Sequence, residues 1–491
     1  MTHTDAPRIL LPAMPDAAPL TEAVLFGFDS WAFPFQCNVR THLAPGQQPR
    51  LVLRPGPAGS HDEVILYYGT VIRIGETFHM WYNGNYGPLQ NTIGFERKYC
   101  CICYATSRDG VTWEKPDLGL VEFNGSKSNN ICDFPASTLW STAAVCYDPD
   151  APDPARRYKM AYEAFLTEAE SGLGGRMHFC VAFSPDGLRW TPSPLNPVGP
   201  FLEMAGVARH NGLYYVNGQG RGYDAQRFRR HLVTYASEDF EHWSPCGALG
   251  LRRAPDLGGP ATEDGWNNAE EVHLGAALWH RGNVMLGIYG QWHGNSTGER
   301  RFVTMDLGLA LTHDAIHFYE PISGFRIVPA REQPEAPLGF GPALMQGQGM
   351  ENVGDRTLYW YSNWRGTEGS GVRMVSWPRD RLGMLRPFGP DNAQALSCPI
   401  RVVAGSARLY ANASGLGPHS QLRIGLMDAG FRPVPGYSGD DAAVMAADGF
   451  RFPLRWRAGD TLPDAGPYRI HVQFEGIRPE DCRLHAIYVG A

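Results

Sequence analysis

Six carboxylates stand at or just before places where the chain runs into an extended, apolar stretch. They are Asp62 and Glu63 ahead of Val64, Glu203 in Phe201-Leu202-Glu203-Met204, Glu270 and Glu271 ahead of Val272, and Glu351 before Asn352-Val353. Carboxyl groups in pairs can divide acid–base work, one donating a proton while the other serves as nucleophile or base. Successive residues of a strand face opposite ways, so at most one of Asp62-Glu63, and one of Glu270-Glu271, can point into a shared site. Each has a plainer reading as a solvated loop carboxylate, and Glu271, which follows Trp266-Asn267-Asn268, has one as part of a structural polar network. Beside them lie groups suited to a hydroxyl-rich ligand: Trp140, Gln219, His273, Trp292, His293, Gln346, Gln348 and Trp364. Aromatic faces stack on apolar C–H patches and amides hold hydroxyls, although packing is the competing role for each Trp. Arg221 and the run Arg227-Phe228-Arg229-Arg230-His231 would suit an acidic or phosphorylated ligand, or equally a solvated strand.

These residues need a scaffold that brings distant segments together, and a repeated phrase supplies it. Ser107-Arg108-Asp109-Gly110-Val111-Thr112-Trp113 recurs as Ser184-Pro185-Asp186-Gly187-Leu188-Arg189-Trp190. Weaker copies run from Ser237 to Trp243 and from Thr312 to Phe318. Upstream of each copy lies an apolar strand, a turn and an aromatic-rich strand, as in Tyr67–Ile72, Gly75 and Phe78–Tyr82. Turns at Asn211-Gly212 and Arg281-Gly282-Asn283 mark later hairpins, and a fifth runs through Leu358–Tyr361 to Trp377. Asp and Ser side chains bond nearby backbone N–H groups and Gly takes positive φ, so the phrase reads as a blade-closing turn. Five units of this kind over residues 64–390 predict an all-β chain with a five-bladed β-propeller. Residues 1–63 read as an N-terminal extension packing on it. The alternating segments of 391–491, such as Tyr468–Val472 and Leu484–Tyr488, predict a C-terminal β-sandwich.

Composition agrees with a turn-rich β protein of 491 residues, with 57 Gly, 39 Pro, 12% aromatics and only 19% charged residues. A formal charge of −7 argues against a nucleic-acid or anionic-membrane partner. No basic, then apolar, leader opens the chain and no long apolar run follows, so a soluble cytoplasmic protein is expected. The ten Cys include no C-x-x-C pair, and Cys100-Cys101-x-Cys103 reads as small buried hydrophobes on a strand. Gly218-Gln219-Gly220-Arg221-Gly222 lacks the spacing of a nucleotide fingerprint.

The S-x-D-G-x-x-W phrase at blade ends, with Gly75-x-x-Phe78-His79-Met80-Trp81-Tyr82 in the first unit, resembles the β-fructosidase and arabinanase superfamily of glycoside hydrolases. The resemblance implies a propeller followed by a sandwich, and a small carbohydrate as substrate. It implies a general acid at Glu203, whereas the family's two Asp positions fall on Tyr67 and Thr142. The second carboxylate is then Glu271, Asp62 or Glu63, with Glu270 as neighbour. A phosphorylase resembling the five-bladed mannoside phosphorylases is the alternative, with Arg221 and His273 on the phosphate. A non-catalytic sugar-binding propeller is the third reading. No cofactor or metal motif is expected; a single Ca²⁺ in the funnel, as in some relatives, and a homo-oligomer both stay open.

Overall fold

The computed structural model describes residues 20–89, 97–135, 142–166, 176–221, 230–253, 270–294, 303–330, 342–364, 370–389, 391–402, 406–463 and 466–490. Within them the chain is all-β, with three short 3-10 turns beside 31 strands. Four antiparallel meanders follow in chain order, each with an inner, two middle and an outer strand. Blade 1 is Val64–Ile74, Thr77–Leu89, Arg97–Ser107 and Trp113–Glu114. Blade 2 is Ala143–Tyr147, Tyr158–Leu166, Arg176–Ser184 and Thr191–Pro192. Blade 3 is Glu203–His210, Leu213–Arg221, Arg230–Ser237 and Ala248–Leu251. Blade 4 is Glu270–His280, Met285–His293, Thr304–Thr312 and Arg326–Val328.

A fifth meander runs Leu344–Val353, Arg356–Asn363 and Val372–Pro378, and its outer strand is Gln47–Leu53 from far upstream. That strand carries Pro49, which an outer strand tolerates because it need not donate on both sides. Sheet boundaries therefore do not coincide with the expected breaks after 63 and 390. Gly383–Pro387 pairs with Val39–Leu43 and with Arg483–Gly490, the strand against which Glu22–Phe26 also lies. With Arg408–Ser414 and Gly449–Pro453 these strands make one C-terminal sheet. A second sheet of Phe35–Cys37, Gln394–Leu396, Tyr468–Glu475, Gln421–Asp428 and Ala443–Met445 faces it across a shared apolar core. Ile487 and Val489 point into that core, whereas Ala486 and Tyr488 of the same strand pack against blades 4 and 5. One strand thus belongs to two cores.

The repeated phrase does what its residue types require. Asp109 Oδ1 accepts from the Val111 and Thr112 N–H groups at 2.8 and 2.7 Å, and Ser107 Oγ accepts from Gly110 N at 2.9 Å. Asp186, Asp239 and Asp314 repeat the pattern. The weak copies place Phe240 (φ 70°) and Ala315 (φ 64°) where the strong copies have Gly110 (φ 72°) and Gly187 (φ 76°). The left-handed turn is kept even where a side chain makes it cost about 1–2 kcal/mol.

Side chains staple the inner strands to one another. Thr70 Oγ1 accepts from Val145 N at 3.0 Å, joining blades 1 and 2. Asn217 brackets Ala276 with bonds of 2.7 and 3.0 Å, joining blades 3 and 4. Gln346 donates to the His273 and Gly275 carbonyls across blades 4 and 5, and Ser362 Oγ accepts from Tyr67 N across blades 5 and 1. Gln348 reaches furthest: it accepts from Val207 N at 2.5 Å and donates to Val145 O at 3.2 Å, tying blade 5 to blades 3 and 2. Buried backbone polar groups require such partners.

Candidate functional site

Glu203 is the first residue of blade 3's inner strand and is directly paired with Gln219 on the next strand. Directly opposed residues put their side chains on one face, and Gln219 Nε2 donates to Glu203 Oε2. Arg230 begins the third strand and donates from Nη1 to Gln219 Oε1 at 3.0 Å. Its Nε lies 3.7 Å from Glu271 Oε2, and its guanidinium stands 4.1 Å from the centre of the Trp292 ring. Glu271, 3% exposed, is the register partner of Trp292 at the start of blade 4. Two carboxylates from neighbouring inner strands are therefore joined through one amide and one guanidinium. Beneath them Trp292, His273 and Trp364 pack ring on ring at 5.2–5.9 Å. Val64, Leu66, Ala205, Leu274 and Met345, from blades 1, 3, 4 and 5, continue this apolar floor.

The other carboxylates are committed elsewhere. Asp62 is 2% exposed, paired with Lys115, and accepts from Tyr82 Oη at 2.9 Å. Burial works against its charge, but the hydrogen bond and charge of Lys115 outweigh it and hold the carboxyl below the usual range. Glu63 accepts from Gly59 N at 2.8 Å. Glu270 bonds His293 Nδ1 at 2.7 Å and Arg253 Nη1 at 2.6 Å, and His293 Nε2 bonds Asp306 at 3.0 Å. Burial lowers the basicity of His293, yet its two carboxylate partners prevail and keep its pKa above 6.5. Glu351 lies at the opposite end of its strand's axis, where burial raises its pKa. There the far ends of all five inner strands enclose a cavity of ≈ 330 Å³, floored by Gln348 and remote from the first residues of those strands.

Several expected site residues take other roles. Of the expected carboxylates, Glu203 and Glu271 come together, whereas Asp62, Glu63 and Glu270 are tied to Lys115, Gly59 and the His293–Arg253 pair. Trp292 is fully buried under Arg230, so it offers no open stacking face; Trp364 and His273 are 5% and 2% exposed. Gln348 and Gln346 spend their amides on inter-blade staples, and His293 is held between two acids. Tyr67 is wholly buried against blade 5, and Thr142 has no exposure. Trp140 lies outside the described residues, as does the side chain of Arg221.

Arg230 lies in the basic run Arg227–His231 that the sequence marks, whereas nothing in the sequence marks Arg253, Asp306 or Lys115. Counting back from the Asn211-Gly212 turn pairs Glu203 with Gln219 to within one residue, which is the signal for that contact. Among the described residues no three His, Cys, Asp or Glu side chains are placed to hold a metal ion. No helix among them is long and apolar enough to cross a membrane.

No family model matches the chain. It is 29% identical over 176 residues to an uncharacterised protein of Mycobacterium tuberculosis strain CDC 1551, which covers 34% of this chain and 50% of that one. The counterpart in strain H37Rv is 28% identical over the same length. The chain spans about half the length of the curated relatives it matches. Among solved structures it is similar to a glycosyl hydrolase from Bacteroides ovatus, at 14% identity, 72% of this chain, 96% of that one and a TM-score of 0.43. A structure from the GH130 family of mannoside phosphorylases, described as containing glycoside hydrolases for β-1,2-mannosidic linkages in Candida mannan, aligns at 14% identity over 72% and 96%, with a TM-score of 0.42. The Bombyx mori GH32 β-fructofuranosidase aligns at 11% identity over 91% and 94%, with a TM-score of 0.40. These neighbours are glycoside-active proteins.

Proposed function

We propose that the chain cleaves glycosidic bonds of a small glycoside or oligosaccharide, furanosides included. Glu203 donates the proton to the leaving oxygen and Glu271 is the second carboxylate. The observation that supports this reading is the Glu203–Gln219–Arg230–Glu271 chain, which links acid groups from two adjacent inner strands above an apolar floor. Cleavage of this kind needs an acid on one side of the bond and a carboxylate on the other, and no cofactor takes part. Arg230 supplies a counter-charge to Glu271, and the buried apolar cluster from Leu66 to Met345 backs the carboxylates. A carboxyl separation of about 5–5.5 Å in a ligand complex would mean retention, and about 6.5–9.5 Å inversion.

Phosphorolysis is the second reading, favoured by the guanidinium of Arg230 inside the carboxylate cluster. A panel of aryl furanosides and pyranosides, assayed with and without inorganic phosphate, separates the two. Turnover without phosphate supports hydrolysis, and strict phosphate dependence supports the alternative. Glu203→Gln should reduce turnover of glycosides with poor leaving groups about 10²–10⁴-fold. Binding without cleavage of any glycoside, unchanged in Glu203→Gln, would instead mark a non-catalytic sugar-binding propeller.

A further inference from the structure

The far mouth of the channel carries binding chemistry that cleavage at Glu203 does not use. An inner blade strand pairs fully on one edge only, so every second residue turns its N–H and C=O towards the channel. Deeper in, side chains take these groups. Thr70 and Gln348 hold Val145 N and O, Gln348 holds Val207 N, and Asn217 holds both groups of Ala276. Two residues further along the same strands stand Tyr147, Arg209 and Leu278, which by that alternation face the ≈ 330 Å³ cavity they line. Among the described residues no side chain takes their backbone groups, so the wall presents donors and acceptors in want of a partner.

The rim adds charge. Arg73, exposed near the end of blade 1's inner strand, donates from Nε to Gly75 O at 3.2 Å. No carboxylate among the described residues lies within ion-pair distance of it. Arg209 is 2.9 Å from Asp148, a carboxylate it shares with Lys159 at 3.7 Å. In the lining two guanidiniums thus face one acid, Glu351, in a chain of formal charge −7. Glu351 Oε1 accepts from the N–H of its own neighbour Asn352 at 2.9 Å. Burial raises its pKa, and the charges of Arg73, Arg281 and Arg379 pull the other way, so these guanidiniums lie within its field.

We propose that this cavity is a second small-molecule site, separate from the Glu203–Glu271 cluster, for an oxyanion carried on a short hydroxylated body: a sugar acid or a sugar phosphate. The anionic group meets Arg73 and Arg209 in charge-assisted hydrogen bonds. Glu351 repels a bare anion but accepts from a hydroxyl, and the strand-edge carbonyls do the same, which is why the body must carry hydroxyls. Gln348 closes the floor with its amide already engaged on both sides. The volume sits at the low end of the roughly 300–1,000 Å³ of ligand pockets and suits one monosaccharide-sized molecule. Nothing in the proposal depends on the acid role of Glu203.

Titration calorimetry on the full chain tests this with gluconate, glucuronate, galacturonate, glucose 6-phosphate and mannose 6-phosphate, against inorganic phosphate and glucose. At least one sugar acid or sugar phosphate should bind saturably, one per chain, and about 10-fold or more tighter than inorganic phosphate or glucose. Whichever arm binds names the anionic group. Arg73→Met, at an exposed position whose loss should leave the urea midpoint in place, should weaken that binding about 10-fold or more. Glu351→Gln removes the repulsion and should narrow the preference over inorganic phosphate. Arg230→Met, at the other end of the channel, should leave it unchanged. No saturable binding by any of the five anions overturns the proposal. So does binding that survives Arg73→Met, and its loss in Arg230→Met would then place the anion at the Glu203–Glu271 cluster. Equal affinity for inorganic phosphate, unaltered in Glu351→Gln, rejects the hydroxylated ligand.

Discussion

Asp62 and His293 show at the residue scale how the same chemistry can serve structure. Breaking the Asp62–Lys115 pair leaves a cation beside a buried site, and Lys115 is only a quarter exposed. Asp62→Asn should therefore cost about 2 kcal/mol in urea unfolding at pH 7, less than a fully buried pair would. Its depressed pKa gives stability that is present above the ordinary carboxylate range and lost as pH falls through the folded value. The parent should lose more stability on acidification than the variant. His293 has the opposite sign. Its raised pKa gives stability that is complete below about 6.5 and lost as pH rises through the folded value. Denaturation series should show the parent weakening towards alkaline pH, while His293→Gln stays flat over that range. Five of the six carboxylates were legible as residue types at strand entrances, Glu351 lying instead near the end of its strand, and Glu203 was marked by the family position it matches. What the sequence could not display was which acids had partners, because Lys115, Asp306 and Arg230 come from segments 53, 13 and 41 residues away.

At the scale of elements, the blade-closing phrase was readable because its contacts are local. Ser107, Asp109 and the N–H groups they bind lie within three residues of one another. The bolts between blades were not readable, since each joins strands that are neighbours only in the closed ring. Gln348 looked like a ligand amide at the rim and instead spans three inner strands. Removing it leaves the Val207 N–H and Val145 C=O without that partner, so Gln348→Ala should lower stability by about 2–4 kcal/mol, read from the urea midpoint at unchanged slope. The neighbouring Gly347 admits no side chain: a Cβ there would come within 1.8 Å of the Tyr67 ring. Gly347→Ala should be more damaging than Gln348→Ala, because a buried aromatic ring between two sheets has nowhere to move.

Across the whole molecule, Asp380 binds the parts together. Its carboxylate, fully buried, pairs with Arg281 of blade 4 and accepts from Asn352 of blade 5 at 2.9 Å and Tyr488 of the C-terminal sheet at 2.7 Å. Asp380→Ala leaves Arg281 with an uncompensated charge and should cost about 3–5 kcal/mol. Calorimetry should show the parent unfolding in one transition and the variant in two, as blades and C-terminal sheets lose their common anchor. The general plan of blades followed by paired sheets was legible from turn spacing. The interleaving of the N-terminal segment was not, because Gln47-Gln48-Pro49-Arg50 carries no strand pattern of its own and becomes a strand only when Val372–Pro378 lies beside it.

That last pairing sets a timetable for the nascent chain. The strand ending at Leu53 leaves the ribosome well ahead of its partner, whose end at Pro378 follows 325 residues later (378 − 53). At roughly 5–20 residues per second, the ring stays open for about 16–65 s of synthesis, with an unpaired early segment and a growing stack of exposed blade faces. The molecule's hazard is therefore temporal: a chain stalled before Pro378 has every other blade and cannot close the circle.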